Sequence, residues 1–260
     1  MSLQQTLRFI LGHPMNKGRP ISTLTRFAKW QLQSRIKDEV IFNWIDGAKL
    51  VVRRGMTGAT GNIYCGLHEY IDMRYVLDTL KPGDLFVDIG ANIGSYTILA
   101  SKVCGANTVA IEPDPETVRS LRRNIEVNGL ADKVRIVEAA LGSKTGTTSF
   151  TIGRDTVNRV ARQDDTNVRI LPLKTLDEVL DGEVPTLIKI DVEGYEGEVL
   201  RGGAVTLGNP KLRAIITETL DRDVQDILEQ AGFKKAYYYP EQRAFGETAS
   251  GHSNNSLMTR

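Results

Sequence analysis

A doubly wound α/β fold is predicted for this 260-residue chain by three observations. Short apolar runs alternate with helical stretches from residue 85 onward, one of those runs passes straight into a glycine turn, and an acid follows 22 residues after the turn's first glycine. Repeated strand–helix–strand units of this kind build a parallel sheet with helices on both faces. The composition agrees: 41% hydrophobic and 25% charged residues are ordinary globular proportions, which exclude a disordered chain, a collagen-like repeat and a disulfide-stapled mini-protein. Basic and acidic residues number 33 and 32, so whole-protein charge does not describe a nucleic-acid coat.

The elements come in order along the chain. Up to Lys37 there are seven Lys or Arg and no Asp or Glu, which leaves 26 basic against 32 acidic residues in the remainder. Leu24, Phe27, Ala28, Leu32 and Ile36 fall close to one helical face, with Arg26, Lys29, Arg35 and Lys37 elsewhere, and this spacing predicts an amphipathic helix. Two readings of that basic arm stay open: a helix packed on the main domain with a solvated basic face, or attachment to an anionic membrane surface or acidic glycan. The run Leu7–Leu11 is too short and too interrupted by charge for a signal segment or a membrane span, so a cytoplasmic protein is expected, with peripheral contact at the inner membrane face left open. From Val40 to Val52 the alternation is irregular, and Gly55, Gly58 and Gly61 punctuate the next stretch; short strands and turns are expected there. Residues 1–80 are thus expected to form a basic helical arm and a substrate-side segment, and residues 81–260 the main domain.

After the turn Lys81-Pro82-Gly83, strands are expected at Leu85–Ile89, Thr108–Ile111, Val134–Val137, Thr186–Ile190 and Leu212–Thr217. Pro115–Asn128 reads as a helix, with Pro and Glu in its first turn and Gly129 just past its end. Val224, Ile227, Leu228 and Ala231 mark a later helix, followed by a strand at Lys234–Tyr239. Between Gly142 and Leu173 the periodicity is lost, and a hairpin with a mobile loop is expected. Cys65 and Cys104 stand far apart with no metal-ligand spacing and read as buried thiols.

The chemistry concentrates at Asp88-Ile89-Gly90-Ala91-Asn92-Ile93-Gly94, where a glycine turn brings backbone close to a ligand. Asp88 lies at the carboxyl end of its strand, where an anion repels a pyrophosphate and attracts an ammonium or sulfonium group. The loop reads Gly-x-Asn-x-Gly and lacks the third glycine of the dinucleotide pattern. Glu112 ends the next strand, at the place of a ribose diol in a doubly wound fold. Two acids bracketing a glycine turn, one for an amino-acid end and one for a ribose, describe a pocket for S-adenosyl-L-methionine; the competing reading is that both only cap helices.

The segments DIGANIGSYT (88–97), AIEPDP (110–115), VRIVEAALGSKTG (134–146) and LIKIDVEGYEGEVLRGG (187–203) resemble the FkbM family of class I S-adenosylmethionine-dependent methyltransferases, over roughly residues 65–220. TGNIYCGLHEYIDM (60–73) resembles the subset found with surface-polysaccharide biosynthesis. The resemblance implies a Rossmann-like sheet, mostly parallel with its last strand antiparallel, carrying an N-terminal helical and strand extension. It implies an O-methyltransferase acting on a hydroxyl of a sugar, polysaccharide or lipid-linked glycan. Asp88, Gly90, Asn92 and Gly94 would surround the methionine part of the cofactor and Glu112 its ribose. Ala139 and Ala140 would border adenine, where many class I enzymes carry an acid.

An aliphatic hydroxyl needs a positioned base to take its proton. Asp191, at the end of a strand, is the first candidate and Glu193 the second; both also suit a helix cap that neutralises Lys189. His68 is the third candidate base, because imidazole titrates near neutral pH, and Glu69 is placed toward the cofactor's ammonium group. Tyr70 and Tyr96 would supply apolar walls with a polar tip. Glu218 and Asn158 are assigned to the acceptor. Glu218 would join an acidic cluster with Asp191 and Glu193, but no diagnostic metal spacing occurs and no metal is expected. Other acceptors stay open: a polyketide-like hydroxyl, protein, or RNA through the basic arm, although the fourth strand lacks the Pro-Pro-aromatic element of amino-methylating base enzymes. So does a module that binds the cofactor without turnover, as does the oligomeric state.

Overall fold

A computed structural model describes residues 3–151, 159–161, 165, 167–249, 251, 253 and 255–260. Two helices open the chain, α1 (Leu3–Gly12) and α2 (Pro20–Ile36), followed by an antiparallel pair, β1 (Val40–Asn43) and β2 (Lys49–Val52), and by α3 (Thr57–Cys65) and α4 (Tyr70–Thr79). Alternation then sets in with β3 (Leu85–Ile89), α5 (Ser95–Ile98), β4 (Asn107–Ile111), α6 (Pro115–Asn128) and β5 (Val134–Val137). A small three-stranded sheet joins β6 (Ala140–Leu141), β7 (Gly146–Thr151) and β8 (Val168–Lys174), with β7 and β8 forming the expected antiparallel hairpin. The remaining elements are α7 (Leu176–Leu180), β9 (Leu187–Ile190), α8 (Glu196–Arg201), α9 (Ala204–Gly208), β10 (Ala214–Thr217), α10 (Arg222–Gln230), β11 (Lys234–Tyr239), β12 (Ala244–Gly246) and β13 (Ser256–Thr259).

The central sheet has the order β12-β11-β13-β10-β9-β3-β4-β5. From β10 to β5 every neighbouring pair is parallel, and β13 runs antiparallel to both β10 and β11. This is the expected doubly wound, Rossmann-like, mostly parallel sheet, with β13, the last strand of the chain, reversed. The chain leaves β3 toward β4 and later returns to β9 on the opposite side, so the carboxyl ends of β3 and β9 flank the switch point where such sheets bind ligands.

Local chemistry explains the elements. In α6, Asp114 accepts from the Glu116 amide, Pro115 occupies the first turn, and Gly129 closes the helix at φ 66°. The strands buried on both faces are near-continuous apolar runs, as parallel strands require. Val87, Ile89, Ile188, Ile190 and Ile215 point into one core with α7 to α10, while Phe86, Leu187, Ala214 and Ile216 point into another with α4. A third core joins Ile10, Trp30, Leu50 and Ile63 of the N-terminal elements to Ile98, Leu121 and Ile125. Polar bonds fasten the same contact: Asn124 Oδ1 accepts from the Val51 amide, and Asn128 exchanges bonds with the Lys49 backbone, all at 2.7–2.8 Å. Cys65 and Cys104 are both buried free thiols, as expected.

Two expectations are corrected. The stretch after Gly55 forms the helix α3 rather than short strands and turns. Its glycine at position 61 serves packing, because a Cβ there would collide with the His68 ring. In α2 the buried face is set by Thr23 and Trp30 with Phe27 half-buried, whereas Leu24, Leu32 and Ile36 of the expected apolar face are exposed at 42%, 62% and 73%. No described helix is long and apolar enough to cross a membrane.

Candidate active site

A cavity of about 560 Å3 opens over the carboxyl ends of β3, β4 and β9 and is roofed by the N-terminal elements. That volume lies within the range of small-molecule sites. The backbone around it is tightly specified. Gly90 has φ 75°, and a Cβ there would overlap the carbonyl oxygen of Asp191, so only glycine lets the β3 turn close against the end of β9. Asn92 and Gly94 continue the turn at φ 52° and 92° before α5 begins.

The acids that end β3 and β4 are already held. Asp88, 1% exposed, accepts at Oδ2 from the amide (3.0 Å) and hydroxyl (2.6 Å) of Thr97. It therefore ties down the start of α5 as well as lining the cavity; burial raises its pKa, while Lys189 and Thr97 pull the other way. Glu112 accepts from the Asn92 amide at Oε2 and the Asp114 amide at Oε1, both at 2.9 Å. Burial pushes its carboxyl up to about 7 despite those bonds. A carboxylate has about four lone-pair sites, so Glu112 retains acceptor capacity toward the cavity. Ala140 lies in the same wall with Ala139, next to Phe150 from the hairpin.

Lys189 sits opposite Asp88 in the β3–β9 register, and its buried Nζ donates to Asp191 Oδ2 at 2.6 Å while lying 4.8 Å from the centre of the Tyr96 ring. Burial opposes the charge on Lys189, but Asp191, Glu69 and Asp88 outweigh it and raise its pKa. Burial likewise raises Asp191, but Lys189 overcomes that and holds the carboxyl below the usual carboxylate range. Asp191 is thus an ionised, weakly basic anchor. Glu193, at φ 55°, and Glu218 each bring a carboxylate oxygen within 4.8 Å of one on Asp191. Burial and then Asp191 raise both neighbours, Glu218 to about 8. Glu218 Oε2 has no hydrogen-bond partner among the described residues.

The roof is different. His68 packs edge-on against Phe9 at 5.5 Å between ring centres, and its buried Nδ1 has no partner among the described residues. Burial lowers its pKa, with Glu69 acting the other way, which favours the neutral imidazole; the residue lines the cavity while Nδ1 itself is shielded beside Gly61. Glu69 lines the cavity while accepting from Asn255 Nδ2 at 2.8 Å.

Among the residues singled out from sequence, Asp88, Gly90, Asn92, Glu112, Ala140, Glu69, Asp191, Glu193, His68 and Glu218 all line this one cavity, and Gly94 belongs to the turn beneath it. Tyr96 lines it too, but Tyr70 points away and donates to Glu241 at 2.6 Å. Asn158 lies outside the described residues. Sequence reasoning treats Lys189 only as a counter-ion, although a lysine inside the run Leu-Ile-Lys-Ile is itself a signal, because a parallel strand buries both faces. Thr97, Phe9 and Asn255 carry no such signal. Six carboxylates face the cavity, from Glu69, Asp88, Glu112, Asp191, Glu193 and Glu218, and the described lining has one lysine and no arginine.

The model of the Methyltransferase FkbM domain matches residues 88–235. Over 134 residues the chain is 30% identical to hexuronic acid methyltransferase AglP of Haloferax volcanii, in a match covering 50% of this chain and 54% of that protein. The chain thus spans little more than half the length of that relative. Over 219 residues it is 27% identical to methyltransferase sdnD of Sordaria araneosa, covering 66% of this chain and 84% of that one. The crystal structure of methyltransferase FkbM from Methylobacillus flagellatus KT superposes with a TM-score of 0.46 at 14% identity, covering 92% of this chain and 60% of the other.

Proposed function

The chain belongs to the FkbM methyltransferase family, and on that premise we propose that it is an S-adenosylmethionine-dependent O-methyltransferase whose acceptor is an uncharged sugar hydroxyl. The observation that carries the reading is the acidity of the cavity: six carboxyl groups face it, Asp191 held ionised among them, and its one lysine is committed to Asp191. Such a wall attracts a cation and repels a pyrophosphate. When bound, S-adenosylmethionine supplies a methyl group on a positively charged sulfur. Asp88 and Asp191 would face that positive end, Glu112 would accept from ribose hydroxyls, and Ala139, Ala140 and Phe150 would pack against adenine.

The chain's own contribution is positioning and proton removal. His68 is the base we favour, in place of Asp191, because it is neutral and its Nδ1 has no other partner among the described residues. Asp191 is too well neutralised by Lys189 to take a proton readily. The N-terminal elements, which supply Phe9, Tyr64, His68 and Met73 to the cavity, form the acceptor side. The related protein from Haloferax volcanii is named for a hexuronic acid. A hexuronate bears a carboxylate that this acid-rich wall would repel, so the same sugar chemistry without the acid fits better here.

Calorimetry with S-adenosylmethionine and with NAD tests the cofactor. Heat with the first and none with the second is expected, and the reverse would make the chain a dehydrogenase. Mass spectrometry of surface glycans from cells lacking the protein should then show a neutral sugar one methylene lighter; unchanged glycans would discard the sugar acceptor while leaving the cofactor result standing.

A further inference from the structure

The helix α2 is apolar on two opposite sides. Its Thr23 and Trp30 side is buried against the protein. At roughly 100° per residue, Ile21, Leu24, Ala28, Leu32 and Ile36 fall within one arc of about 120° on the other side. Ile21 is 80% exposed, Leu32 62% and Ile36 73%. A surface helix of a globular protein turns a polar face to water, so this one departs from the pattern. The only hydroxyl in the arc, on Thr25, donates to the Ile21 carbonyl within the helix itself, which leaves Arg35 as the one outward donor of the strip.

From Lys17 to Lys37 the charges along the strip are of one sign. Arg35 lies within the arc and Lys29 at its border, and Lys17, Arg19 and Lys37 stand at the two ends of the helix, all exposed. None of these five makes an ion pair with a described residue, and no acidic residue occurs before Asp38. An apolar strip rimmed by cations is the geometry of a helix lying in the plane of a lipid interface, with its apolar side among acyl chains and its Lys and Arg at anionic headgroups. A second copy of this chain would bring the same unpaired cations face to face, which charge opposes.

We propose that α2 docks the protein on an anionic bilayer surface. Docking does not depend on which acceptor the cavity takes; α1, which packs against α2, places Thr6 and Phe9 in the cavity wall, so one element separates the docking helix from the cavity.

Vesicle flotation of the full chain tests this. With phosphatidylcholine vesicles containing phosphatidylglycerol the protein should float, and with phosphatidylcholine alone it should stay in the bottom fraction. Replacing both Leu32→Ser and Ile36→Ser keeps the charge and removes only exposed apolar groups; the apparent affinity should fall about tenfold or more. Val205→Ser, at a 78% exposed residue of α9, should float like the parent chain. A parent chain that ignores anionic vesicles, or a double-serine variant that floats equally well, overturns the proposal. So does a dimer seen by light scattering in the parent and lost in the double-serine variant, which would assign the strip to a second copy.

Discussion

The floor and the roof of the cavity are built on different principles. In the floor, at the sheet edge, the acids that face the cavity from β3, β4 and β9 are already engaged: Asp88 by Thr97, Glu112 by two backbone amides, Asp191 by Lys189. In the roof, His68 keeps a buried nitrogen free and rests on a glycine and on Phe9. The floor is preorganised, so its groups need not rearrange to meet a ligand. The roof holds spare hydrogen-bonding capacity at His68, as the sheet edge does at Glu218, and a group that exchanges a proton belongs where such capacity is. Substitutions should therefore separate: floor changes lower stability and cofactor binding together, and roof changes lower turnover alone.

The largest effect is expected from Lys189→Met, which keeps the length of the side chain and removes the cation shared by Asp191 and Asp88. Stranding buried carboxylates this way typically destabilises by about 3–5 kcal/mol, and the exposed edge of Asp191 points to the lower end of that range. Urea unfolding measures it. A loss under about 1 kcal/mol would mean that water already serves these carboxylates, and the floor would not be the rigid half.

His68→Gln tests the roof. With the neutral sugar acceptor, kcat should fall by roughly a hundredfold or more, the usual scale for a general base, while cofactor affinity and unfolding free energy stay close to those of the parent. Because burial lowers the imidazole pKa, the parent's rate should reach its plateau at a lower pH than an ordinary histidine would give. Full turnover in the variant would move the base to Glu218, whose Oε2 is the carboxylate oxygen of the wall without a partner among the described residues.

The same division governs what the sequence discloses. Strands β3, β5 and β11 and the helix α6 occupy the residues expected from period, caps and glycine punctuation, because those signals are local. The floor acids are legible for the same reason, each ending an apolar run. The strand β13 is not, since Ser-Leu-Met-Thr has little pattern of its own and its place between β10 and β11 is decided by tertiary pairing. The roof is the least legible part. Apolar residues on both sides of α2 hide which side is buried, and Gly58 and Gly61 mask the helix α3, whose small residue at 61 answers to a ring seven positions away.

The smallest expected effect is on pH dependence, and it bears on the floor alone. Glu112 is buried without a cation and its carboxyl lies at about 7 rather than 4.5. For an acid whose folded pKa is raised, the unfolded chain loses its proton first. Its contribution to stability is complete below about pH 4 and is lost as pH rises through the folded value. Through Glu112 alone the free protein should therefore lose on the order of 2 kcal/mol between about pH 5 and 8, read as a falling melting temperature that Glu112→Gln makes shallower. Asp191, held low by Lys189, acts oppositely but only in the acid range below this window. A bound ribose reverses the sign at Glu112, since its hydroxyls donate to the ionised form: S-adenosylmethionine should bind more tightly as pH rises through about 7, and stability with saturating cofactor should decline less. Equal pH slopes with and without cofactor would show that Glu112 does not meet the ligand, and this buried acid would then be a structural feature of the floor rather than its recognition surface.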